Sequence, residues 1–232
     1  IELALEPLNK AARSTVLTKW VLSSLAQQYK MQISFDPICR KGHIGSGFHV
    51  HLSPRHGNGP DDYCFIRDEK TNTLSSEAVH LIAGLSQLGG ALMAFGNRTE
   101  TSFVRLSQGK EAPTVISWGD RNRRALIRLP LVAKNQEGAL VAPPTVEFRL
   151  GDGSAHPYLL IAGLAMAMLY GTDMDDGVAL NLVAATEAKS EGQRKVPQNR
   201  DEVKANLRDS REAFERGGVF PATMIHAILS NS

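Results

Sequence analysis

From His156 to Tyr170 the sequence reads HPYLLIAGLAMAMLY, small and apolar throughout. A helix apolar on every side must be buried on most sides, so the rest of the chain has to supply a layer around it. A second long helix is expected from Ser75 to Phe95, with Ile82, Leu85 and Leu92 apolar and Gly89 and Gly90 weakening it locally. Between Lys10 and Tyr29, Leu17, Val21 and Leu25 recur every fourth residue, which predicts an amphipathic helix packed on a sheet. Asp201 to Arg216 reads as a surface helix with Val203, Leu207 and Phe214 inward. Strand-like runs occur at IELALEP, MQISF, TVISW, ALIRLPLV and TVEFRL. Helices and separate strands together give an α+β class. The segment from Pro54 to Thr73, rich in Gly, Asn, Asp and Pro, predicts a surface loop around one short strand at YCFI. Loops of that length tend to be functional. The polar stretch 189–200 reads as a linker before the last helices, and no internal repeat is present.

The bounds on function are mostly exclusions. A chain of 232 residues, 42% hydrophobic, buries a real core. The formal net charge is +2 with no dense Lys/Arg block, so nothing marks a nucleic-acid footprint. Cys39 and Cys64 form neither a disulfide framework nor a metal-type Cys spacing, which suits a reducing, cytoplasmic setting. The run Leu159 to Tyr170 is about half of what spans a bilayer, and the start of the chain does not resemble a signal peptide. A soluble protein with no membrane partner is expected. Because the chain opens on Ile1 inside a strand-like phrase, it is expected to be a piece of something longer.

The chemistry gathers in the phrase GSGFHVHLS. His49 and His51 stand two apart in a strand-like run and therefore share a face. On its own such a pair is either a metal site or two ordinary polar residues. In TVEFRLGDGS, Glu147 and Arg149 likewise share a face. Arg121, Arg123 and Arg128 lie among residues that otherwise look buried, Arg105 sits in TSFVRL, and buried arginines imply an anion. Glu111 falls in the loop phrase GKEAP, where Pro113 ends any helix. Carboxylates with imidazole suit a hard cation such as Mg2+ or Mn2+, and guanidinium forks suit phosphate or carboxylate. Phosphoryl transfer uses both. No Walker-type loop is present, so a different ATP site is required. His80 and His226 read as helix-surface or satisfied core residues, Cys39 and Cys64 as unpaired thiols, and Trp118 as core rather than a base-stacking platform.

Three blocks, GSGFHVHLS, NRTETSFVRLSQGKEAPTVISWGDRNRRALIRLP and VEFRLGDGSAHPYLLIAGLAMAMLYG, resemble in order and spacing the C-terminal catalytic domain of class I glutamine synthetases and related γ-glutamyl-amine ligases. IELALEP resembles the start of the family's Gly-Gln-x-Glu segment, so the resemblance covers residues 1–232 as one partial catalytic domain. It implies a curved antiparallel sheet, a half-barrel flanked by helices, forming part of an active-site funnel in a double-ring homo-oligomer. It also implies that the family's N-terminal β-grasp domain lies outside this sequence, and that the segment alone is inactive. By resemblance, Glu2 is a ligand of one divalent ion, and His49 and Glu147 are ligands of another. His51 and Ser53 lie near ATP, and Gly45 offers backbone contact to glutamate. Arg105 and Arg149 hold glutamate carboxylates or the transferred phosphoryl group, and Arg123 and Arg128 face the phosphates. Glu111 matches the flap residue that takes a proton from ammonium or an amine. The implied activity is ATP-dependent ligation of glutamate and ammonium through γ-glutamyl phosphate. The alternatives are an organic amine as nucleophile, or a non-catalytic glutamate- or nucleotide-binding scaffold. The chain departs from the family at His43 and Ile44, where Asp-Asn is usual, at Thr145, where Arg is common, and at Gly151, where Pro is common.

Overall fold

The computed structural model describes residues 1–230 other than 58, 60, 61, 65 and 69. The all-apolar stretch forms helix α4, Pro157–Thr172, at the centre of the fold. His156 caps it, its ring nitrogen accepting from the Leu159 N–H, and Pro157 occupies the first turn, where a missing N–H costs nothing. Its principal partner is α2, Ser76–Gly96, capped by Ser75 with Glu77 in the first turn. Helix α2 is long and apolar enough to cross a bilayer, but 83% of that window is buried inside the protein, as in a core helix. The two backbones nearly touch: a Cβ on Gly84 would lie 2.0 Å from the Ala167 carbonyl oxygen.

The remaining helices are α1 (Leu8–Gln28), α3 (Glu100–Ser107), α5 (Asp176–Thr186), α6 (Arg200–Asp209), α7 (Arg211–Glu215) and α8 (Ala222–Ser230). Val203, Leu207 and Phe214 are buried as their spacing predicts. Phe214 meets Phe95 edge-on at 5.4 Å and Phe220 at 5.7 Å, which locks the last helices to the end of α2. Trp118 is core, its Nε1–H donating to the Val183 carbonyl at 2.7 Å.

Strands β1 (Val50–Leu52), β2 (Trp118–Asp120), β3 (Ile127–Leu129) and β4 (Val146–Phe148) form a sheet in the order β1-β4-β3-β2. The class is α+β as expected. The sheet is mixed rather than wholly antiparallel, because β2 and β3 run parallel while β4 is antiparallel to both its neighbours. Ile127, Leu129, Val146 and Phe148 are buried in the core that the helices share. Period-two alternation therefore sends Arg128 and Glu147 to the opposite face.

Several expectations need correction. IELALEP and MQISF carry no strand, since alternation alone provides no partner to bond with. Helix α1 exists but packs on α4, not on the sheet. It buries Ala12 and Thr15, while Leu17, Val21 and Leu25 are 47%, 43% and 43% exposed. Lys19 fastens it by donating to the Gly153 carbonyl at 2.6 Å. In YCFI, Tyr63 pairs with Arg55 only as an isolated bridge, and Phe65 lies outside the described residues. The segment 189–200 is fastened rather than free: Ile116 N–H donates to Arg194, Val196 N–H donates to Thr114, and Val196 is fully buried.

His80 ties α2 to the end of α4 and the start of α5, with Nδ1 at 2.7 Å from the Gly171 carbonyl and Nε2 at 2.9 Å from Asp176 Oδ1. Only the imidazolium donates from both nitrogens. The Gly171 hydrogen bond first, and then Asp176, therefore raise its pKa against the opposing effect of burial. A raised folded-state pKa stabilises fully below the unfolded value of about 6.5, and the gain disappears as pH rises through the folded value. His80→Gln is thus expected to lower the melting temperature more at pH ~5.5 than at pH ~8.5. An equal loss at both pH values would refute this account.

Candidate active site

The register of three strands builds the site. His51 lies opposite Glu147, and Glu147 lies opposite Arg128, so β1, β4 and β3 set imidazole, carboxylate and guanidinium side by side on the face away from the helices. His49 and Arg149, each two residues further along, extend the row. Glu147 is 1% exposed and is the hub. Its Oε1 lies 3.0 Å from His49 Nδ1, accepts from Arg149 at 2.8 Å and lies 3.9 Å from His51 Nε2. Its Oε2 faces Arg128 Nε as a close ion pair, yet neither atom makes an aligned hydrogen bond. We regard the charge contact as the operative one, because two opposite charges side by side need no exact angle to attract.

Charges account for the protonation states. Burial pushes the Glu147 carboxyl up, but the His49 hydrogen bond and the charges of Arg149, Arg128 and His49 outweigh it and hold the pKa below the ordinary value. Burial pulls His51 down; Glu147 and Glu2 oppose this, while Arg128 and His49 reinforce it. Glu2 is therefore within electrostatic reach of His51, although its own side chain is exposed. His51 Nδ1 also pairs with Thr145 Oγ1 at 3.0 Å.

Glu111 stands on the loop after α3 at φ 54, a left-handed conformation unusual for a residue with a side chain. Its carbonyl accepts from Arg149 Nη2 at 3.4 Å, and its carboxylate lies 3.8 Å from Arg123 Nη1. Between this loop and residues 42–44 opens a cleft of about 670 Å³, lined by Ile44, Lys110, Glu111 and Arg123 among others. Lys110 Nζ donates across it to the Gly42 carbonyl at 2.9 Å. A second cleft of about 310 Å³ has Ile66, Leu129, Pro130 and Thr145 in its lining.

The arginines divide differently from the sequence expectation. Arg105 and Arg149 are buried and Arg128 is half-buried, but Arg121 and Arg123 are exposed, because they fall in the turn between β2 and β3. Arg105 donates to the Leu150 and Gly151 carbonyls at 3.2 and 3.3 Å, and lies against Gly45, where a Cβ would come within 2.9 Å of its side chain. Burial lowers the Arg105 pKa, with Asp152 opposing. Asp152 and Asn97 form a buried polar pair beside Arg105 that the sequence does not reveal. Both are buried, and Asn97 Nδ2 donates to Leu150 O at 2.9 Å and to Asp152 Oδ2 at 2.8 Å. The only hint was an acid directly after Gly151 in GDGS.

A family model described as glutamine synthetase, catalytic domain, matches residues 1–231. The chain belongs to this family. It is 32% identical over 227 residues to a glutamine synthetase of Methylococcus capsulatus, covering 96% of this chain and 46% of that protein. It is 36% identical over 186 residues to a glutamine synthetase of Thermococcus kodakarensis, covering 78% and 39%. The cryo-EM structure of Plasmodium falciparum glutamine synthetase superposes with a TM-score of 0.78 at 20% identity, covering 96% of this chain and 50% of that one, which is a likeness of fold. The glutamine synthetase catalytic domain thus accounts for the whole described fold, and the chain spans about half the length of the curated relatives it matches.

Proposed function

We propose that the full-length protein is an ATP-dependent ligase that joins glutamate to ammonium through γ-glutamyl phosphate. The observation that carries this reading is the convergence of His49, Arg128 and Arg149 on one buried carboxylate, Glu147, beside the Glu111 loop. Family membership supports it, since the Methylococcus and Thermococcus relatives are glutamine synthetases.

The donor set fits a hard divalent ion. An imidazole and an ionised carboxylate meet at 3.0 Å, and buried Ser53 Oγ has no hydrogen-bond partner among the described residues, while the unpartnered N–H of Arg149 Nε calls for an anion beside the ion. Unpartnered buried polar atoms call for a polar occupant. In this reading His49 and Glu147 hold Mg2+ or Mn2+, with Glu2 contributing to a neighbouring ion. When bound, such ions supply charge neutralisation at phosphoryl oxygens. Arg128 and Arg123 neutralise the nucleotide phosphates, Arg149 and Arg105 orient glutamate and the transferred group, and Gly45 permits close backbone approach. His51 and Ser53 lie toward the nucleotide, for whose base the 310 Å³ cleft is a seat. A homo-oligomer of double-ring type is part of the proposal.

Glu111 takes the proton that the attacking nitrogen must lose. Glu111→Ala is expected to slow amide formation by about 10²–10⁴-fold. Glutamate-dependent ADP formation should largely survive, because the phosphoryl-facing groups are untouched. The direct test is phosphate release by the full-length protein: it must require glutamate, ATP and a nitrogen nucleophile together. Release without glutamate, or none at all, would rule the ligase reading out.

One observation favours a second reading of the nucleophile. Ile44, 65% exposed, lines the same cleft as Glu111, so an alkyl group finds apolar surface there. A primary alkylamine or polyamine compared with ammonium in the same assay separates the two. A higher kcat/KM for ammonium would reject the amine reading.

A further inference from the structure

We propose that His56, Cys64 and Glu77 form a second metal site, for one zinc-class ion, that shares no residue with the site on the sheet. Their ligand atoms all lie within 4.8 Å of one another, and His56 Nε2 is 3.2 Å from Glu77 Oε1. The backbone arranges this. Arg55 and Tyr63 pair as an antiparallel bridge, His56 N–H donates to Asp62 O at 2.9 Å, and Cys64 N–H donates to Pro54 O at 2.8 Å. The two arms of the loop thus bring His56 and Cys64 together. Ser75 N–H donates to Ile66 O at 3.0 Å, which holds the loop against the first turn of α2, where Glu77 projects.

The chemistry selects the ion. A thiolate, an imidazole and a carboxylate form a mixed S, N, O set, which suits Zn2+ and Co2+ and not Mg2+ or Ca2+, both of which take oxygen ligands. Zn–N near ~2.1 Å and Zn–S near ~2.3 Å in a tetrahedron put ligand atoms about 3.4–3.7 Å apart. His56 and Glu77, at 3.2 Å, already stand near that spacing, and any pair at the 4.8 Å limit would close by roughly 1 Å. Half-exposed Glu77 and exposed His56 have the rotamer freedom to do so. Three protein ligands leave the fourth position to water. Burial and the neighbouring Glu77 raise the Cys64 thiol, so the ion-free site holds a protonated sulfur. Ligation then forms a metal–sulfur bond and releases that proton to solvent. Bound metal would clamp the loop onto the start of α2.

The test is titration of metal-free full-length protein with Co2+, read by thiolate-to-cobalt charge-transfer absorption in the near ultraviolet. A saturable band at one ion per chain is expected, present in Cys39→Ser, lost in Cys64→Ser, and with affinity weakened at least about tenfold in His56→Gln and Glu77→Gln. The last two substitutions lie at an exposed and a half-exposed side chain and leave the core intact. Cobalt held by His49 and Glu147 has no sulfur ligand and gives no such band. Absence of the band in folded wild-type protein, its survival in Cys64→Ser, or unchanged affinity in both His56→Gln and Glu77→Gln would overturn the proposal.

Discussion

Glu147→Ala in the full-length protein is expected to abolish divalent-ion-dependent nucleotide binding and to lower turnover by about 10³-fold or more. The substitution removes the one carboxylate on which His49, Arg128 and Arg149 converge, and it leaves two guanidiniums crowded together with only the more distant Glu111 as counter-charge to Arg149. Breaking a buried charge cluster from one side costs about 3–5 kcal/mol, so stability must be measured with function. Glu147→Gln keeps the shape and one acceptor oxygen and separates the effects. It should retain more of the fold while still losing ion-dependent binding. Calorimetric titration with Mn2+ and a non-hydrolysable ATP analogue, beside a thermal melt, reads both. Wild-type binding in a folded Glu147→Gln protein would show that the hub is structural only.

A large loss of stability away from the site is expected on adding a side chain at Gly84. A Cβ there would stand 2.0 Å from Ala167 O and 2.9 Å from Gly171 N, both backbone atoms, so no side chain can swing aside. Helices α2 and α4 would have to separate along their buried contact. Overpacking of this kind costs up to about 3 kcal/mol in a core that adjusts, and this one cannot adjust cheaply. Gly89 is the control. It lies in the same helix, but its Cβ would meet only Leu126 at 3.4 Å, so Gly89→Ala is expected to be neutral or to gain up to ~1 kcal/mol of helix propensity. Urea denaturation of both variants decides: equal effects would mean that the close approach at Gly84 is not what limits the packing.

What could be read from the sequence follows the reach of each signal. Helices α2, α4 and α6 were legible because their apolar residues repeat within a single element. That His49 shares a face with His51, and Glu147 with Arg149, was legible because alternation in a strand is equally local. Neither signal says which segments pair. IELALEP and MQISF alternate as strands do, yet no ladder forms on them. The row Leu17, Val21 and Leu25 has helical spacing but does not face the core. Arg123 closely precedes the apolar run ALIRLP in sequence but projects from a turn. Asn97 and Asp152 escaped notice because their partnership spans 55 residues and depends on the end of α2 meeting the end of the sheet.

The pairing of β1 with β4 brings His49 to Arg149, 100 residues apart in the chain. Closing a loop of that length costs about 4 kcal/mol, but the cost is logarithmic, and doubling the loop adds only ~0.6 kcal/mol. Intervening segments such as 54–73 and 131–144 can therefore lengthen or change composition at little energetic expense, while strand register keeps His49, Glu147 and Arg149 aligned. The two halves of the site are thus joined by hydrogen bonds between strands and not by the length of chain that separates them, so a longer or shorter loop need not move one half against the other.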